Sequence, residues 1–210
     1  SPSGSNILKE HWLNDASWRQ VNWDYMYQVN RDKNETVYNV DGIAGNQVSG
    51  RRSYYILEDQ RSDNKRFNYS STAQAVLSER WVINGGINYQ RYNANYYRVV
   101  DDLLGGEYFL DIDKFAERDL ASNKDAAQPN LDKPNHVVRE GDRYGFDYDL
   151  NVQSYNAWVQ NVITLRKVDV FISGSIGQNT SWRKGNFRNG RFPEFSLGES
   201  TKNTFLEYGV

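Results

Sequence analysis

A chain of 210 residues has room for one all-β domain of ordinary size or two small ones. Its 25 Lys+Arg against 27 Asp+Glu leave a formal charge of −2, which excludes the basic field that nucleic-acid binding needs. The absence of cysteine excludes a disulfide framework and a thiolate metal site, and no run approaches the ~18 apolar residues of a transmembrane helix.

Aromatics make up 14 % of the chain, 15 of them Tyr, yet mean hydropathy is −0.82. A soluble protein this polar has a thin core for its size. A membrane barrel removes the conflict, because half of each strand faces lipid and half a wet lumen. A soluble sheet protein with a Tyr-rich surface also fits the composition.

In chain order, Asn22–Asn30 reads as a short helix. Tyr54–Glu58 opens a long strand whose odd positions Phe67, Tyr69, Ala73, Ala75 and Leu77 are mostly apolar and whose even positions Arg66, Asn68, Ser70, Thr72 and Gln74 are polar. A turn at Ser78–Arg80 leads to a return strand over 81–92, with Trp81, Ile83, Ile87 and Tyr89 on one side and Asn84, Asn88 and Gln90 on the other. Arg98–Gly106 reads as one or two helical turns closed by Gly105, and Asp113–Asp119 as another short helix. Ala121–Pro134, rich in Asn, Asp and Pro, reads as the most mobile stretch.

A second hairpin begins with Tyr144, Phe146, Tyr148, Leu150 and Val152, all even. Its apolar phase then moves to the odd Tyr155, Ala157, Val159 and Ile163. A one-residue phase shift flips faces, so the pattern predicts a β-bulge near Gln153–Tyr155. The chain turns at Arg166–Lys167 and returns through Val168, Val170, Ile172 and Ile176 to Trp182. The predicted strands span 52–77, 81–92, 144–165, 168–182 and 201–210, and the long connections 1–51, 93–143 and 183–200. Short turns alternating with long loops match outer-membrane barrels, whose strands need about 9–11 residues to span. Trp81, Tyr89, Tyr92, Tyr144 and Trp182 sit at strand ends, where aromatic girdles belong.

Five segments carry a resemblance: Val21–Tyr25, Val37–Gly42, Asp101–Asp119 (DDLLGGEYFLDIDKFAERD), Val138–Asp149 (VREGDRYGFDYD) and Trp182–Pro193 (WRKGNFRNGRFP). Together they resemble TonB-dependent outer-membrane receptors of the Bacteroidetes type. The resemblance implies one β-barrel segment over 1–210, all-β, with antiparallel amphipathic strands and long extracellular loops containing short helices, within a plugged barrel of about 22 strands. It implies import of a nutrient (glycan, peptide or metal chelate) across the outer membrane. The TonB complex would act through parts of the parent protein that have no counterpart here. Outer-membrane lipid and a surface lipoprotein are the other candidate partners.

The residues alone name no catalytic group. His11 and His136 stand far apart, and no HExxH, nucleophile elbow or phosphate-binding glycine loop occurs, so neither enzyme nor cofactor is expected. Carboxylates gather at Asp101, Asp102, Glu107, Asp111 and Asp113, and again at Glu140, Asp142, Asp147 and Asp149. They read as solvated loop charge rather than a Ca²⁺ loop. Candidate ligand contacts are Tyr108 and Phe109 in the first long loop, and Trp182, Arg183, Asn186 and Arg188 in the second, where loop–loop packing is the competing explanation. The rival from another class is a soluble, aromatic-rich carbohydrate-binding β-domain. It would have to cover Phe67, Tyr69, Ile83, Ile87, Ile172 and Ile176 with a second protein layer.

Overall fold

The computed structural model describes residues 4–210. With 53 % of residues in strands against 18 % in helices, the chain is mostly β and its large sheet is antiparallel; no barrel closes within it. Two helices come first, α1 (Gly4–Asn14) and α2 (Trp23–Asp32). The short helix predicted over Asn22–Asn30 is α2, and Asn22 caps it by accepting from the Tyr25 N–H at 3.0 Å. The strands β1 (Asn34–Tyr38) and β2 (Gln47–Ser53) form a hairpin inside the span read as a long loop.

The long strands follow: β3 (Leu57–Ser78), β4 (Trp81–Asp102), then after a cap segment β7 (Arg143–Thr164) and β8 (Asp169–Gly185). The cap segment holds β5 (Tyr108–Leu110), α3 (Lys114–Asp119, capped by Asp113) and β6 (Val137–Val138). Two short strands end the chain, β9 (Gly198–Glu199) and β10 (Asn203–Gly209). The large sheet runs β10-β8-β7-β4-β3 and the cap sheet β1-β2-β5-β6. Both hairpins predicted from alternation are present, β3 with β4 and β7 with β8.

Cross-strand register sorts the side chains into rows. Tyr69, Tyr89, Tyr155, Gln178 and Leu206 stand side by side across all five strands. Below them on the same face come Ile87, Ala157, Ile176 and Tyr208, then Val159 opposite Gly85, then Ile83 and Ile172, and lastly Trp81, Ile163 and Val170. The opposite face is mostly polar from Asn68 down to Gln74, apart from Trp158 and Phe205, and turns apolar only in the lowest row, Val76, Val82, Val162 and Phe171. On it Gln74 donates to Asn84 at 2.9 Å, and Asn179 to Glu207 at 2.7 Å. The apolar face is bare. Phe67 is 58 % exposed, Ile87 54 % and Ile176 63 %. The buried hydrophobic residues instead lie in the cap and the upper strand ends, in one cluster around Val37, Val40, Tyr108, Leu110 and Val137 and another around Val100, Leu103, Val138 and Tyr144.

Several expectations are corrected. No bulge occurs at Gln153–Tyr155, where β7 keeps unbroken register with both neighbours. The apolar phase changes because the covered face changes: low on the strand the odd side chains form the bare apolar face, while high on it the even ones, Tyr148 and Phe146, run toward the cap. The irregularity falls higher, between Tyr97 and Arg98, where Gly145 and Phe146 are extra residues on β7. Gly145 adopts φ +71° there, a conformation that glycine takes without strain.

Arg98–Gly106 is not helical. The β-branched pair Val99-Val100 continues β4 against β3 to Asp102, and a turn through Leu104 and Gly105 follows. The predicted strand over 81–92 is therefore ten residues longer, and the loop over 93–143 shrinks to the segment between Asp102 and Arg143. The long strand starts at Leu57 rather than 52, since residues 52–53 belong to β2. Ala121–Pro134 is tied down: Ala126 and Ala127 are buried, and Leu131 N–H donates to Arg188 O at 2.7 Å.

Candidate functional site

Where the cap meets the upper ends of β3, β4 and β7, a cleft of about 890 Å³ opens. Its walls come from α2 (Trp23, Met26), the β2–β3 junction (Tyr54, Tyr55), the strand tops (Glu58, Arg98, Phe146) and the cap segment (Phe109, Asp111, Lys114, Phe115). It lies on the polar-face side of the large sheet, since Glu58, Arg98 and Phe146 fall on the even positions. From it an aromatic strip descends along that face: Phe146 lies 5.7 Å from Tyr148, and Tyr148 stacks on Tyr96 at 5.5 Å.

One buried amide sets this architecture. Asn30 on α2 is fully buried; its Nδ2 donates to Tyr55 O (2.8 Å), Leu103 O (2.9 Å) and Leu104 O, while its Oδ1 accepts from the Tyr54 and Tyr55 N–H groups. It thereby fixes α2, the β2–β3 junction and the β4 turn to one another, with every polar atom satisfied.

Charge in the cleft is arranged unevenly. Asp111 is 3 % exposed and accepts the Gly145 N–H with both carboxylate oxygens at 3.1 Å. Burial pushes its pKa up to about 6, against the opposing pull of that hydrogen bond and of His136 and Arg98. Tyr54 is surrounded by cations: Lys114 Nζ lies 4.6 Å from its ring centroid, Arg52 4.9 Å and Lys33 5.7 Å. Burial, reinforced by Arg52, holds Lys114 below the usual lysine pKa. Tyr54 OH donates to Glu35 at 2.6 Å, which keeps that carboxyl below its ordinary pKa. Arg98 sits 4.8 Å over the Phe146 ring. Among the described residues no cluster has the makings of a metal site.

The residues singled out from sequence do not converge. Phe109 lines the cleft, packed edge-on against Tyr144 at 5.6 Å. Tyr108 is 1 % exposed and donates to Glu35 O at 2.9 Å, so it is a core side chain closed to ligand. Trp182 lies on the bare face, with Lys202 Nζ 4.8 Å from its ring. Arg183 donates to the carbonyls of Phe195 and Ser196, Asn186 to Asp147 and Asp149, and Arg188 pairs with Asp132 at 2.6 Å. These three tie the 183–200 segment to itself, to β7 and to the 121–134 segment. The sequence reading missed Trp23, Tyr54, Lys114 and Arg98; the Val21–Tyr25 segment of the resemblance includes Trp23, but spacing gave no sign that it would meet Lys114.

Comparison with protein families, with curated proteins and with solved structures finds no match.

Proposed function

We propose that the chain is a sector of an outer-membrane β-barrel of the TonB-dependent receptor kind, that the bare face meets lipid, and that the cleft presents an imported nutrient above the lumen. The observation that carries this reading is the charge pattern of the bare face. Between Arg91 above and the turn residues Arg80 and Lys167 below, that face has no charged residue on any of the five strands. From Trp81 to Arg91 β4 climbs about 33 Å at ~3.3 Å per residue. At a tilt near ~40° this is about 25 Å, the height of the lipid-facing band of an outer-membrane barrel. At its top, Gln153 Nε2 donates to the hydroxyls of Tyr89 (3.1 Å) and Tyr155 (2.7 Å), where an interfacial girdle has its polar edge. A soluble β-domain would have to cover Phe67, Ile87 and Ile176, and these are more than half exposed.

The test uses the absence of cysteine. Single replacements Ile87→Cys and Asn88→Cys place thiols on opposite faces of one strand at one height. In the native membrane, a membrane-impermeant maleimide is expected to label Asn88→Cys and spare Ile87→Cys, and detergent-free urea to expose both. Equal labelling in the membrane, or recovery of the protein in the soluble fraction, sinks the proposal.

A further inference from the structure

The bare face changes character sharply at its upper margin. One row above the tyrosines stand Phe67, Arg91, Gln153, Thr180 and Thr204; the next row is Lys65, Asn93, Asn151 and Trp182. Lys202 closes that row by lying over the Trp182 ring. Lys65 and Arg91 are diagonal neighbours on adjacent strands, both exposed, and neither has a hydrogen-bond or ion-pair partner among the described residues. The acids nearest in register, Asp63 and Asp149, are already engaged by Tyr97 OH and by the amides of Asn93 and Asn186.

Directly beneath these cations the face is grooved. A shallow depression of about 490 Å³ crosses the strands, lined by Tyr69, Ile87, Tyr89, Tyr155, Ile176 and Leu206. A free guanidinium and a free ammonium thus stand above an apolar trough.

The geometry points to a lipid-binding site: a phosphate-bearing headgroup held by Lys65 and Arg91, with its acyl chain lying in the trough below. The site rests on the membrane reading above. Charge complementarity selects the headgroup. Two unpaired cations at an interface attract a phosphate, and Arg91 can offer it two parallel N–H donors. Asn151, whose Oδ1 accepts from Asn93, adds a neutral amide on the same row. The trough selects a lipid over free phosphate, since only a lipid fills both halves. Annular lipid without phosphate would fill the trough but leave the two cations without an anionic partner.

The native protein, extracted from the membrane and placed in phosphatidylcholine nanodiscs, is titrated with a fluorescent phosphatidic acid and, separately, with the matching diacylglycerol. Phosphatidic acid is expected to bind preferentially. The double variant K65Q/R91Q is expected to lower its apparent affinity on the order of thirtyfold, at about fivefold for each charge removed, and to leave diacylglycerol binding unchanged. Both side chains are exposed and unpaired, so the variant keeps the sheet, which circular dichroism verifies. A membrane-embedded protein that binds both lipids alike, or whose double variant binds phosphatidic acid unchanged, overturns the lipid site alone. A protein found only in the soluble fraction overturns the site together with the membrane reading.

Discussion

Asp111 is a short acidic side chain in a chain where most carboxylates sit in solvent, and what distinguishes it is its depth. It clamps the Gly145 N–H at the one place where β7 departs from regular pairing, so its ionisation is coupled to the joint between cap and sheet. Its pKa rises from 3.8 in the free state to about 6 when folded, so between these values the folded protein binds the proton more tightly than the unfolded chain. Stability from this group is therefore complete below about pH 4 and is lost as pH rises through about 6. Asp111→Asn keeps an oxygen for Gly145 and removes the titration. Relative to the parent, the variant is expected to gain stability between about pH 4 and pH 7, by about 2–3 kcal/mol at the upper end. Unfolding midpoints at a series of pH values measure this, and a difference that does not vary with pH would show that Asp111 is not the titrating group.

Elements were legible in the sequence to different depths. The two long hairpins were, because period-two alternation is a local signal and turns such as Glu79-Arg80 and Arg166-Lys167 interrupt it visibly. The helices over Trp23–Asp32 and Lys114–Asp119 were legible as short helical stretches at Asn22–Asn30 and Asp113–Asp119, and the structure supplies their caps in Asn22 and Asp113. Which side of a strand is covered was not, because cover arrives from distant segments. The cap, folded from α2, the β1–β2 hairpin and the segment 103–142, takes over the even face of β7 high on the strand, so a change of cover looked like a slip of register. Extension of β4 to Asp102 was hidden for a similar reason: its partners Leu57–Gln60 and Arg143–Tyr144 lie far away in sequence. Of the residues singled out as ligand contacts, only Phe109 lines the cleft, since burial of Tyr108 and pairing of Arg188 are tertiary facts.

The loops themselves are joined by backbone contact. Gly190 N–H donates to Gln128 O at 2.9 Å, and a Cβ built on Gly190 would lie 1.6 Å from Asp125 O. A methyl group cannot share that space with a carbonyl, and the carbonyl belongs to backbone that must itself move. Gly190→Ala is therefore expected to cost about 1–3 kcal/mol and to detach the 183–200 loop from the 121–134 segment. Hydrogen exchange at Gly190 and Leu131 reads that detachment, while the amides of β7 and β8 keep their protection. Unchanged protection at both loop amides would mean that the contact does not hold them together.

Over the whole molecule, the chain puts many of its large apolar side chains where nothing among the described residues covers them, and its buried core at one end. Hydrophobic burial alone rewards the reverse arrangement in water, so the bare face needs a medium or a partner that supplies the missing apolar contact. The long β3 also stands at an edge of the sheet, and an uncapped strand edge offers its backbone groups to further strands. Ile87 and Asn88 turn these facts into a paired test at the middle of the band, since neighbouring side chains of one strand face opposite ways. Against lipid, Ile87→Arg must place a guanidinium near the bilayer midplane and is expected to cost about 2–4 kcal/mol. Asn88→Arg enters the polar face and is expected to stay within about 1 kcal/mol of the parent, as a substitution facing a wet lumen does. In water the difference vanishes: Ile87 is 54 % exposed and Asn88 is exposed as well, so arginine at either position meets solvent without loss of stability. Reversible unfolding of the native protein in bilayers separates the two cases by the size of that difference. If Ile87→Arg is as stable as Asn88→Arg in the membrane, the bare face does not meet lipid and some other surface covers it.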